Sequence, residues 1–147
     1  MTLHRVAAAQ FFSGADVAAN LSLCVDYVRR AAEAGAELVV LPENSNRVRD
    51  YAGRDECWEH SETLDGAFVR GLRDAARESG VYLAAGVDLR GERAPDVHIC
   101  SVLIDPDGEV VGVHRKHVLW DYEYTLFVPG DEPYQVFDTR LGRVGLL

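Results

Sequence analysis

Val17, Leu21, Cys24, Val28, Ala31 and Ala32 recur at spacings of three and four, between two apolar, β-compatible runs, Leu3 to Phe11 and Glu37 to Leu41. A stripe of that period predicts an amphipathic helix, with Asp26, Arg29, Arg30 and Glu33 on its other faces. Ser13, Gly14 and Asp16 offer turn and N-cap chemistry before it, and Gly35 follows as a C′ glycine able to take the left-handed conformation. The alternation then repeats. Phe68, Leu72, Ala75 and Ala76 mark a second helix closed by Gly80, and Val81 to Val87 is the next strand. The order β-α-β-α-β specifies a layered α/β fold. Further along, Val97 to Ile104 and Val110 to His114 flank Asp105-Pro106-Asp107-Gly108, a strong turn signal, and form a hairpin. Tyr134 to Phe137 and Val144 to Leu147, around a turn at Leu141-Gly142, form a last one. Asn44 to Glu62 is polar and aperiodic and reads as a long loop.

Bulk composition narrows the function classes. Hydrophobic residues make up 48% and charged residues 27% of 147 residues, which is the profile of one soluble globular domain over residues 1–147. The formal net charge of −9 argues against a nucleic-acid surface, which needs clustered Lys and Arg. No apolar run approaches the ~20 residues that span a membrane. Met1-Thr2-Leu3-His4-Arg5 leads directly into the first strand pattern, so no signal peptide is expected. Cys24, Cys57 and Cys100 form no disulfide framework, and a reducing cytoplasm is the expected location.

Two segments carry the chemistry. Ala36-Glu37-Leu38-Val39-Val40-Leu41-Pro42-Glu43 delivers a carboxylate at a strand end, a common address for ligand-contacting groups in α/β proteins. Arg115-Lys116-His117-Val118-Leu119-Trp120-Asp121-Tyr122-Glu123 delivers a lysine after a strand, then a second carboxylate, and closes on Phe127-Val128-Pro129-Gly130-Asp131. Taken singly, Glu43 reads as a solvated loop glutamate and Lys116 as part of a surface basic cluster. Taken together, the segments resemble the Glu and Lys blocks of the nitrilase (carbon–nitrogen hydrolase) superfamily, and the resemblance runs from Arg5 to Leu147. It implies the N-terminal half of an α-β-β-α sandwich. It also implies that Glu43 is the general base, that Lys116 stabilises the oxyanion of a tetrahedral intermediate, and that Glu123 helps position lysine and substrate. On its residues alone, Glu123 reads equally as a surface carboxylate. His117 is assigned no role, because many family members carry a histidine two residues after the lysine, where this chain has Val118. Pro129-Gly130-Asp131 reads as a structural turn.

The family's third catalytic residue, a cysteine, is expected after a strand resembling Gly142-Arg143-Val144-Gly145-Leu146-Leu147, with which this chain ends. None of its three cysteines holds that position. Cys24 falls on the helix stripe and Cys100 in an apolar strand, so both read as core, whereas Cys57 falls in the polar loop and could be exposed. Cys57-x-x-His60 and His114-x-x-His117 have ligand-like spacing but belong to no finger pattern, so no metal is expected, and the family implies no organic cofactor. The expected substrate is a small-molecule amide, nitrile or carbamoyl compound, with the chain inactive alone. It then reads as a truncated hydrolase, as half of a split enzyme completed by a second chain, or as a non-catalytic binding module. The strands Leu38 to Leu41 and Val97 to Ile104 would be left partly bare, which predicts self-association.

Overall fold

The computed structural model describes residues 3–147; the reading of no signal peptide over Met1 to Arg5 begins on Met1 and Thr2, which lie outside them. Five strands form one sheet in chain order: β1 (Val6–Ala8), β2 (Leu38–Val40), β3 (Tyr82–Arg90), β4 (Val97–Ile104) and β5 (Val110–Arg115). β1, β2 and β3 are parallel, with Val6, Leu38 and Tyr82 in register, as the intervening helices require. β3, β4 and β5 are antiparallel, and the Asp105 to Gly108 turn joins the last two. A separate hairpin pairs β6 (Val136–Thr139) with β7 (Gly142–Gly145).

Helices α1 (Val17–Glu33) and α3 (Ala67–Ser79) pack on each other over one face of the sheet. The stripe predicted for α1 is the buried one: Cys24 and Val28 meet Phe68, Leu72 and Ala76 of α3 and the alternate residues Leu83, Ala85 and Val87 of β3 in one apolar core. Asp16 caps α1, its Oδ1 accepting from the N–H groups of Ala18 at 2.9 Å and Ala19 at 3.1 Å. The predicted stops hold too, with φ of +82° at Gly35 and +66° at Gly80. One helical layer on one sheet is the first half of a nitrilase-like sandwich.

Four expectations are corrected. The run Leu3 to Phe11 contributes only three strand residues, and Val6 is 56% exposed, because β1 is the outer strand with a partner on one side. The segment Asn44 to Glu62 is not all loop: Arg54–His60 forms α2. Cys57 therefore lies on a helix and is fully buried, in a second apolar cluster with Tyr51, Val97, Ile99, Leu119, Leu126 and Phe127. Finally, β4 is not bare. Cys100, Val102 and Ile104 face the helices, Val97 and Ile99 join the second cluster, and Ser101 is the one β4 residue not fully buried. Val40 of β2 does stay open to solvent.

Candidate active site

Beyond β2 the chain continues through Leu41, whose N–H donates to Ala84 O at 2.8 Å, to Pro42 and Glu43. This crossing needs a glycine beneath it. A Cβ on Gly86 of β3 would stand 2.5 Å from Glu43 Cα and 2.7 Å from Pro42 O. Asn44 then turns the chain with φ of 57°, a conformation asparagine tolerates better than most residues. Ser45 closes the turn, its Oγ donating to Pro42 O at 2.6 Å and its N–H to Gly86 O at 2.8 Å. The Glu43 backbone is thus held on both sides.

Lys116 leaves β5 with its N–H donating to Ile99 O at 2.8 Å. Its carbonyl accepts from Gly130 N–H at 2.9 Å, so the Pro129-Gly130 turn folds back onto the lysine. Glu123 opens α4 (Glu123–Leu126), a single turn, and its Oε2 accepts from Trp120 N–H at 2.8 Å. The three residues singled out in the sequence meet. Lys116 Nζ donates to Glu43 Oε1 at 3.0 Å and to Glu123 Oε1 at 3.1 Å. The Glu123 side chain is 4% exposed and that of Glu43 is 46% exposed. One carboxylate is internal and the other faces the opening.

Two further groups, which the motifs did not point to, complete the cluster. Arg49 lies in the segment before α2, and its Nη1 donates to Glu123 Oε1 and stands 3.5 Å from Glu43 Oε2. Its Nη2 lies 3.8 Å from Oδ1 of Asp88, a fully buried residue of β3. The guanidinium sits 5.0 Å from the ring centre of Phe127. Arg49 had no signal in a polar, aperiodic stretch. Asp88 had one, a carboxylate directly after the apolar run ending at Val87.

The surroundings fix the charges. Burial opposes ionisation of Glu123, but the Trp120 N–H and the charges of Lys116 and Arg49 outweigh it and hold its pKa below the usual range. Burial likewise opposes the charge on Lys116, but the hydrogen bonds it donates to both carboxylates raise its pKa. Asp88 differs: burial pushes it up to about 7, with Arg49 pulling down and Glu43 and Glu123 pushing up. At neutral pH the site therefore holds a cationic lysine against an anionic Glu123, with a buried carboxyl biased toward its protonated form behind them.

Glu43 and Lys116 form the polar end of a cavity of about 450 Å³. Leu38, Val40, Ala84 and Gly86 line its apolar floor, and Val144 to Leu147 form a wall, with Ser101 Oγ donating to Leu147 O at 3.2 Å. The cavity has room for a small acyl group beside a cation. All three thiols are free and buried. Burial pushes Cys24, Cys57 and Cys100 each up to about 12. Cys100 borders the cavity, but it packs in the core beneath the helices. The His117 ring packs at a tilt against His114 at 4.8 Å and Tyr134 at 4.6 Å between ring centres. Among the described residues, no three His, Cys, Asp or Glu side chains are grouped to hold a metal ion.

The chain is similar to several known proteins. A nitrilase of Pyrococcus abyssi is 34% identical over 130 residues, which cover 87% of this chain and 48% of that protein. The deaminated glutathione amidase of Homo sapiens is 36% identical over 134 residues, covering 87% of this chain and 38% of its own length. A solved structure of the amidase from Nesterenkonia sp. AN1 superposes with a TM-score of 0.85 at 30% identity, covering 99% of this chain and 57% of that one. This chain thus spans about half the length of the relatives it matches. Residues 5–147 match the carbon–nitrogen hydrolase family as a whole. With that match, its fold and these relatives in agreement, the chain belongs to the carbon–nitrogen hydrolase family.

Proposed function

We propose that this chain carries the general base and the oxyanion-binding lysine of a hydrolase that cleaves small-molecule amides, using a cysteine thiol from outside residues 3–147. The observation that carries this reading is the placement of Lys116 Nζ, 3.0 Å from Glu43 at the polar end of the cavity and backed by Glu123. Leu146 and Leu147 line that same cavity, and in the family this segment precedes the cysteine. Two relatives are named as amidases, and a structure of the Nesterenkonia enzyme carries acrylamide added at its active-site cysteine. These names favour amides over nitriles or carbamoyl compounds.

In the proposed reaction, Glu43 takes the thiol proton and the thiolate attacks the amide carbon. Negative charge develops on the carbonyl oxygen beside Lys116, a fixed cation in a partly dry site. Collapse breaks the C–N bond, Glu43 returns its proton to the nitrogen, and ammonia or an amine leaves. Glu43 then takes a proton from water as it attacks the thioester, the C–S bond breaks to release the acid, and Glu43 returns the proton to the departing thiolate. No step needs a metal or redox cofactor.

The thiol comes either from a continuation of the same polypeptide or from a complementing chain. Expression of the complete reading frame, with ammonia release measured over a panel of small amides, nitriles and carbamoyl compounds, tests the activity. Glu43→Gln and Lys116→Ala should each remove turnover while the protein stays folded. A partner polypeptide at fixed stoichiometry would identify a split enzyme. Tight amide binding with no turnover in any preparation would instead make the chain a binding module. Three free buried cysteines suit a reducing compartment, and we place the protein in the cytoplasm on that ground.

A further inference from the structure

Arg49 needs an explanation. Its side chain is 6% exposed, it comes from an aperiodic segment, and it is the second cation in a cluster where Lys116 already pairs with both glutamates. A buried arginine is costly unless its partners are well placed. Its Nη1 is well placed, on Glu123, while its Nε and Nη2 have no hydrogen-bond partner among the described residues. Phe127, itself buried, lies with its ring centre 5.0 Å from the guanidinium carbon, and Asp88 stands 3.8 Å away, too far for a hydrogen bond.

The consequence lies in how the two glutamates differ. Glu123 accepts from Arg49, Lys116 and Trp120 N–H, so both its oxygens are engaged. Glu43 accepts one hydrogen bond, from Lys116 to Oε1, and its Oε2 faces Arg49 at 3.5 Å without one. We propose that Arg49 is a positioning residue that divides the work of the two carboxylates. It locks Glu123 as a permanent anion against Lys116 and leaves Glu43 as the carboxylate free to take a proton. The catalytic consequence rests on the hydrolase reading, but the division itself does not.

The division follows from what a second cation adds to a lysine shared by two carboxylates. Without Arg49, Lys116 would share one charge between two anions, and either glutamate could hold a proton. With it, two cations face two anions, and the residual asymmetry is one of geometry. Asp88 supports this, since burial and the neighbouring carboxylates push it up to about 7, so it competes only partly for the guanidinium.

The test uses the complete protein as wild type, Arg49→Gln and Arg49→Lys. Glutamate carboxyl carbons are followed by NMR through a pH titration, with Glu123 assigned from Glu123→Gln. Arg49→Gln should raise the Glu123 midpoint by about one pH unit, and kcat should fall by about 10- to 100-fold with KM within about twofold. Arg49→Lys keeps the charge but loses the planar fork. Its midpoint should stay near wild type while kcat still falls, which keeps the proposal testable if Arg49→Gln does not fold. An unchanged Glu123 midpoint in Arg49→Gln, or wild-type kcat in Arg49→Lys, overturns the proposal. A wild-type protein that hydrolyses no amide overturns the hydrolase reading instead, and the Glu123 titration still decides the division of the carboxylates.

Discussion

Lys116 is held by two carboxylates whose environments differ, and this difference sets what each substitution should do. On the proposed hydrolase reading, Lys116→Ala in the complete protein should lower kcat by at least ~10²-fold, the scale for losing one oxyanion-stabilising group, as read by steady-state ammonia release. The ion cluster also has a pH signature. Glu123 has a depressed pKa, so the stability it contributes is present above its unfolded value of 4.5 and is lost as pH falls through the folded value. Lys116 has a raised pKa, so its contribution is full below 10.5 and is lost as pH rises through the folded value. Asp88 has the sign of a raised acid: folding favours its protonated form, and stability is lost as pH rises from 3.8 to about 7. The corresponding ceiling is ~4 kcal/mol. Asp88→Asn should flatten that part of the stability profile, measured by urea unfolding at pH 4, 5.5 and 7. A variant that still loses stability over this range as wild type does would show that Asp88 is not the group titrating. At this scale, Glu43, Lys116 and Glu123 were legible in the sequence because each sits in a motif. Arg49 was not, because its position is defined by the groups it meets rather than by its neighbours in the chain.

The elements deliver these groups through backbone contacts that are open to test. Asp16→Ala removes two accepted hydrogen bonds at the start of α1 and should cost ~1 kcal/mol in denaturant unfolding, with the site left intact. Gly86→Ala is the opposite case. Its Cβ would meet the Glu43 backbone at 2.5 Å, so the crossing after β2 must shift. Because a displacement of about 1 Å at a reacting group can cost 10²-fold in rate, kcat should fall far more than the melting temperature predicts. The helices α1 and α3 were legible because each carries a long apolar period and a closing glycine. The helix α2 was not: seven residues begin after Gly53 without a side-chain cap, and Cys57 is its one fully buried residue. Short helices of this kind are held by what they pack on, here the cluster around Phe127 and Leu126.

At the scale of the molecule, the chain forms one helical layer on one sheet and matches about half of its relatives' length. Residues 1–147 prepared alone should hydrolyse no amide, and none of their three thiols should react with a disulfide reagent until the chain is unfolded, when three should. One thiol that reacts in the folded chain would reopen the question of the nucleophile. With Val40 and the cavity's apolar floor open, self-association or pairing with a complementing chain is expected in sedimentation. The sequence by itself determined the order of the sheet strands and of α1 and α3, and the layered α/β class, and it singled out the three motif residues, since period, caps and turn chemistry are local properties of the chain. Only the tertiary structure decided that Glu123 is internal and Glu43 open, that β4 is covered while β1 is an exposed edge, and that Arg49 and Asp88 join the site. Burial and charge depend on which distant segments of the chain meet, as Glu43 meets Lys116 73 residues further along, and no local pattern encodes that meeting.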